Sequence, residues 1–210
     1  MADLFNSYFF EQFSNPSKYD IEIDYCDDPF VDKYIDERTI FDLLIKTNEN
    51  KAVGSDKITS KLIKFCAKSL ARPLTILYNK KFKMGKIPDK WKLADVVPVF
   101  KKGTKSSVTN YRPISLTSLP MKILEYCIKD LLISQCGHLI RENQHGFCPH
   151  KSCLTQLLPL VDKFAVALNK KSRIDVIYFD FAKAFDSINH DLVLHKLKTK
   201  FGINGLLLNF

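Results

Sequence analysis

The sequence predicts an α+β fold, and three stretches carry that prediction. Ala94 to Phe100, ADVVPVF, is apolar and β-branched, and YRPISL returns after the polar turn KKGTKSSVTN, which is the pattern of a β-hairpin. Ser118 to Cys136 lines up Leu119, Ile123, Tyr126, Cys127, Ile128 and Leu131 at helical spacing. Ile174 to Phe181 alternates with period two: Ile174, Val176, Tyr178 and Asp180 on one side, Ile177, Phe179 and Phe181 on the other. With both sides mostly apolar, a covered central strand is expected there.

The remaining elements follow in chain order. Leu4, Phe5, Tyr8, Phe9 and Phe13 predict a short amphipathic helix over Asp3 to Phe13 whose role is packing. Asn15 to Asp32 turns acidic around Pro16 and Pro29, as a linker or surface loop does. A helix starting near Asp36 turns Ile40, Leu43 and Leu44 inward and stops by Asn48. At KAVGSDKITSKLIKF, Gly54 is expected to supply backbone angles closed to other residues, and Ser55 or Thr59 to cap a helix carrying Leu62, Ile63 and Phe65. Pro73 starts or kinks the next helix, with Leu74, Leu77, Tyr78 and Phe82 inward and Gly85 at its end. After the hairpin and the long helix, a further helix runs to about Leu168 despite Pro159. Following Ile174 to Phe181 comes a helix capped by Asn189, with Asp191 in its first turn and Gly202 just past its last, and the chain ends in what reads as another helix. Three regions result: a helical extension with an acidic linker (1–50), a central region (51–170) and the carboxylate-bearing strand with its helix (171–210).

With 46% hydrophobic and 26% charged residues in 210, the composition is that of a globular chain with room for a core. Lys and Arg number 32 against 23 Asp and Glu, a net +9 that favours a polyanionic partner. Lysines crowd positions 80, 81, 83, 86, 90 and 92 around Trp91. No apolar run reaches the roughly 18 residues a bilayer span takes, and MADLFNSYFFEQF lacks a basic region before an apolar block, so an intracellular protein, nuclear or cytoplasmic and without a membrane partner, is expected. The cysteines at 26, 66, 127, 136, 148 and 153 are scattered, and reduced thiols are the default.

Asp180 is the candidate for chemistry. An ionised carboxylate at the end of a buried strand needs a partner, a hydrogen bond or a cation, and a cap or turn role explains it as well as a metal does from strand chemistry alone. The wording around it is more specific. FDFAKAFDSINHDLVLHKL resembles the first palm motif of reverse transcriptases, particularly those of non-LTR (LINE-type) retrotransposons, in which Asp-Phe-x-Lys-Ala-Phe-Asp precedes a helix. KAVGSDKI is similar to the segment that opens the fingers in the same enzymes, and the stretch from WKLADVVPVFKKG through YRPISL resembles their fingers motifs almost without interruption. QHGF, followed by Lys151 and Ser152, is similar to the family's Gln-x-Gly-Phe segment, although Cys148 and His150 stand where arginine and glycine are frequent.

The resemblance implies an RNA-directed DNA polymerase that joins nucleotides by two-metal chemistry with Mg, or Mn, on an RNA template and a DNA primer, using deoxynucleoside triphosphates. It implies that Asp180 and the Phe181 carbonyl bind metal, that Phe185 is the steric gate beneath the incoming sugar, and that Lys101 and Arg112 hold the triphosphate, with Lys102 as the alternative to Lys101. It assigns Gln144, Gly146, Phe147 and Lys151 to template or nucleotide contact. Glu125 matches an acidic position of the family and receives no catalytic role. The implied fold is the fingers and partial palm of a right-hand polymerase, 51–170 and 171–210, truncated before the second catalytic motif, because no Tyr/Phe-x-Asp-Asp follows Asp180. Such a chain is expected to be inactive alone.

A rival takes Cys136, His138, His145, Cys148, His150 and Cys153 as zinc ligands of a non-catalytic nucleic-acid-binding protein. Against it, the span has no Cys-x-x-Cys pair and no finger spacing. A third reading is a purely structural fragment that keeps the family's sequence without its activity.

Overall fold

The computed structural model describes residues 1–12, 35–181 and 183–210; the acidic stretch expected at Asn15 to Asp32, along with Phe13 and Ala182, lies outside them. The described chain is α+β: helices α1 (Ala2–Phe10), α2 (Glu37–Lys46), α3 (Ser60–Phe65) and α4 (Ala67–Lys83), strands β1 (Ala94–Phe100) and β2 (Tyr111–Thr117), then α5 (Leu119–Cys136), α6 (Cys153–Asn169), α7 (His190–Phe201) and α8 (Gly205–Asn209).

Side-chain oxygens start most of these helices by taking backbone N–H groups that have no partner within the helix. Asp36 accepts from Thr39 N at 2.8 Å, Thr59 from Leu62 N at 3.2 Å, Ser118 from Met121 N at 3.3 Å and Asn189 from Leu192 N at 2.9 Å. Ser152 and Thr155 form a reciprocal capping box on α6. At the other ends, Gly85 and Gly202 adopt left-handed angles, φ 58° and 67°, which only glycine takes at little cost. Pro73 does not start α4. It lies in the second turn of a helix that begins at Ala67, and Ser69, whose carbonyl loses its donor, is on the exposed side of the helix.

One core joins α2, α3, α4 and α5. Ile40 and Leu44 of α2, Ile63 of α3, Ala67, Ala71 and Tyr78 of α4, and Leu119, Ile123, Leu124 and Cys127 of α5 meet there, with Trp91 packed against them. Of Leu62, Ile63 and Phe65 on α3, only Ile63 is buried; Leu62 and Phe65 are exposed. On α5 the buried stripe includes Leu124, whereas Tyr126 faces outward. Tyr78 is central: its hydroxyl donates to the Pro120 carbonyl at 2.7 Å, and its ring meets Trp91 edge-on at 5.7 Å. Asn79 ties the start of α2 to α4, accepting from Ile35 N at 3.0 Å and donating to Ile35 O at 2.8 Å. A smaller cluster of Cys136, Ile203 and Leu207 holds α8 against the end of α5.

Gly54 is needed for space, and its backbone lies outside the left-handed region. A Cβ on it would sit 2.6 Å from Thr117 O and 2.9 Å from Ser118 N, at the junction of β2 and α5. Because backbone would have to move, Gly54→Ala is expected to cost about 2 kcal/mol. Urea unfolding checks this, and an unchanged midpoint would mean that the junction yields freely.

Ile174 to Phe181 is not a strand. It runs without regular structure, and Ile177 and Phe179 are 73% and 90% exposed. Alternation makes a segment able to be a strand, but its N–H and C=O groups also need a neighbouring ladder. Among the described residues the only sheet is the β1–β2 pair.

Candidate nucleotide-binding site

The hairpin sets the position of the two basic residues singled out on it. β1 and β2 pair antiparallel from Ala94↔Thr117 to Phe100↔Tyr111. In this register Arg112 stands opposite Val99, and Lys101 follows the last pair, its N–H donating to Asn110 O at 2.8 Å. Alternation puts Phe100 and Tyr111 on one face, their rings edge-to-face at 5.5 Å, and Arg112 on the other. Lys101, Lys102 and Arg112 are all exposed. The tip is braced by Asn110 Nδ2 donating to Thr104 O and Tyr111 Oη donating to Lys105 O, both at 2.9 Å. Gly103, at φ 89°, lets Asn110 pack where a Cβ would stand 2.6 Å away. Of the upstream lysines, 81, 86 and 92 line a cleft of about 490 Å3 with Asp89 and Phe210.

The QHGF loop is fastened from within. Lys151 Nζ donates to Gln144 O at 3.0 Å and to Glu142 O, and Gln144 Nε2 donates to Gly146 O at 3.1 Å. The Lys151 ammonium therefore shapes the loop. Phe147, in a left-handed conformation at φ 60°, projects its ring edge-on to Phe185 with centroids 6.2 Å apart. Both rings are otherwise open to solvent, 92% and 74% exposed. The structure thus joins two of the sequence-assigned residues from segments far apart in the chain. Asp180 and Phe181 are exposed, and the chain beyond them turns through Asp186 N and Ser187 N, each donating to Lys183 O at 3.0 Å.

Carboxylate and carbonyl oxygens suit a hard divalent cation in kind. Yet among the described residues no three His, Cys, Asp or Glu side chains gather as a metal group. The histidines and cysteines between 136 and 153 make no such group either: Cys136 is buried with its thiol donating to Leu132 O at 3.1 Å, and His145 Nδ1 shares a hydrogen bond with Thr155 Oγ1 at 2.9 Å.

Helix α1, assigned to packing from sequence, reaches both halves of the site. Phe5 meets Tyr111 edge-on at 4.9 Å, and Lys183 Nζ lies 3.0 Å from Tyr8 Oη and bonds Gln12 Oε1. Only the aromatic density of α1 hinted at this. Contacts across more than 100 positions leave no local pattern.

The profile of the family described as reverse transcriptase (RNA-dependent DNA polymerase) matches residues 99–208, more than half of the chain. The chain belongs to the reverse transcriptase family. It is 28% identical over 154 residues to the probable RNA-directed DNA polymerase from transposon BS of Drosophila melanogaster, covering 72% of this chain and 17% of that protein. It is also 28% identical over 162 residues to the RNA-directed DNA polymerase from mobile element jockey of the same organism, covering 76% and 18%. The corresponding X-element protein is 25% identical over 162 residues, again 76% and 18%. The kinship is to the non-LTR, LINE-type reverse transcriptases that the motifs indicated. This chain spans less than a fifth of the length of these relatives. No described helix is long and apolar enough to cross a membrane.

Proposed function

We propose that this reverse transcriptase segment provides the incoming-nucleotide side of an RNA-directed DNA polymerase, with an RNA template, a DNA primer and deoxynucleoside triphosphates as its partners. The hairpin register carries the proposal, because it sets Arg112 and Lys101 at one exposed end of a braced two-stranded arm. A guanidinium there offers paired N–H donors to phosphate oxygens, and an ammonium adds a point charge. Residues 51–170 serve as fingers and 171–210 as the start of the palm, behind an N-terminal extension.

In this proposal Phe185 closes the space under the sugar against a 2′-hydroxyl. Gln144, Gly146 and Phe147 face template or nucleotide, and Lys151 acts by holding their loop. Asp180 and the Phe181 carbonyl contribute oxygens to Mg, or Mn, whose chemistry is to neutralise the triphosphate and activate the primer hydroxyl. The chain's own residues orient the substrate and exclude the wrong sugar.

Steady-state incorporation by a polymerase containing this segment tests the assignment. Arg112→Ala is expected to raise KM for the deoxynucleoside triphosphate roughly 10- to 100-fold, the loss of a charge-assisted hydrogen-bond pair, with a smaller effect on kcat. An unchanged KM would move the triphosphate grip away from this hairpin.

A further inference from the structure

We infer that α1 is a clasp for the loop beyond Asp180, with Tyr8 and Gln12 as positioning residues that capture the Lys183 ammonium while Phe5 seats the same helix on the hairpin. Its importance for catalysis rests on the function proposed above; the clasp itself does not.

Three groups converge on one cation. Lys183 Nζ lies 3.0 Å from Tyr8 Oη, bonds Gln12 Oε1 and sits 4.9 Å from the centre of the Tyr8 ring. The Gln12 amide is oriented for this contact, because its Nε2 donates to Tyr8 O at 3.1 Å and so leaves Oε1 to accept. Helix α1 is itself anchored: Phe9 is buried, Phe5 stacks on Phe9 at 5.7 Å, and Phe5 meets Tyr111 at 4.9 Å. Tyr111 directly precedes Arg112, and Lys183 follows Asp180 by three residues. Helix α1 with the turn that follows it, all of which precedes the segment matched by the family profile, therefore touches both the arm bearing the basic residues and the loop bearing the carboxylate.

The backbone gives an independent reason for a clasp. Lys183 has φ 51°, a left-handed conformation unfavourable for a residue with a Cβ. It is held there by the two N–H groups donating to its carbonyl and by the capture of its side chain.

The test uses the chain as it stands. In Gln12→Glu, a carbodiimide, which joins only amines and carboxylates already in contact, is expected to link position 12 to Lys183, identified by peptide sequencing. Amide hydrogen exchange gives the second readout. Tyr8→Ala with Gln12→Ala is expected to speed exchange of amides 183–187 roughly five- to tenfold while α5 is unchanged. Gln12→Glu in the Tyr8→Ala background is expected to restore protection, which filling space alone would not do. Lys183→Gly, which keeps the left-handed backbone but removes the ammonium, is expected to loosen α1. Absence of the cross-link together with unchanged exchange overturns the clasp, and if exchange rises in α5 as well, the cross-link alone decides. No readout needs polymerisation, so the clasp can fail while the polymerase assignment stands, and the reverse.

Discussion

Asp180→Ala, made in a polymerase containing this segment, is expected to lower primer extension by about 1,000-fold or more, the equivalent of several kcal/mol of transition-state stabilisation. The sign of the effect is as informative as its size. An exposed carboxylate beside a triphosphate is repulsive unless a cation lies between them, so a turn carboxylate at this position could be removed without harm or even with gain. A carboxylate that holds a cation cannot. Asp180→Asn separates charge from shape, and it should be nearly as damaging as alanine. Single-turnover primer extension at saturating nucleotide is the measurement. Activity within tenfold of the parent in either variant would return Asp180 to the role of a turn residue.

Tyr78→Ala is expected to remove about 3–5 kcal/mol of stability, a large share of what a domain of this size possesses. Tyr78 is fully buried, joins α4 to α5 through the Pro120 carbonyl and carries Trp91 on its ring. Burial pushes its phenol well above the ordinary tyrosine range, so it remains a hydrogen-bond donor throughout the working pH range. Tyr78→Phe removes only the hydroxyl and leaves the Pro120 carbonyl short of a donor, for an expected loss of about 1–2 kcal/mol. Urea titrations followed by circular dichroism give both numbers. Equal losses for the two variants would place the whole contribution in the hydrogen bond and none in the packing.

What could be read from the sequence was local. Thr59 and Asn189 cap the helices expected of them, and Asp36 and Ser118 stand at helix starts the sequence marked, because a capping side chain acts within three residues of its own position. The limits of β1 were legible because β-branched residues end against a polar turn. Gly54 was misread because its obstacle, Thr117, is more than 60 positions away. Pro73 was open to two readings, the start of a helix or a kink within one, because its ring disrupts an isolated helix, and the solvent-exposed second turn that admits it was not visible in the sequence. Ile174 to Phe181 carried the right alternation for a strand, but pairing depends on a neighbour the pattern does not supply. At the site, residue types were legible from the motifs. Their partnerships were not: Phe147 with Phe185, Lys151 with its own loop, and Lys183 with α1 are products of the fold.

The unpaired run at Ile174 to Phe181 also bears on solubility. Eight residues of apolar, β-prone chain with their amide and carbonyl groups unladdered are a template on which an identical run from another molecule can lay itself, strand against strand. Within the run, the carboxylates of Asp175 and Asp180 are the charges that oppose such stacking. Neutralising either is expected to tilt the chain toward fibrous self-association, a change that light scattering on Asp175→Asn and Asp180→Asn would register.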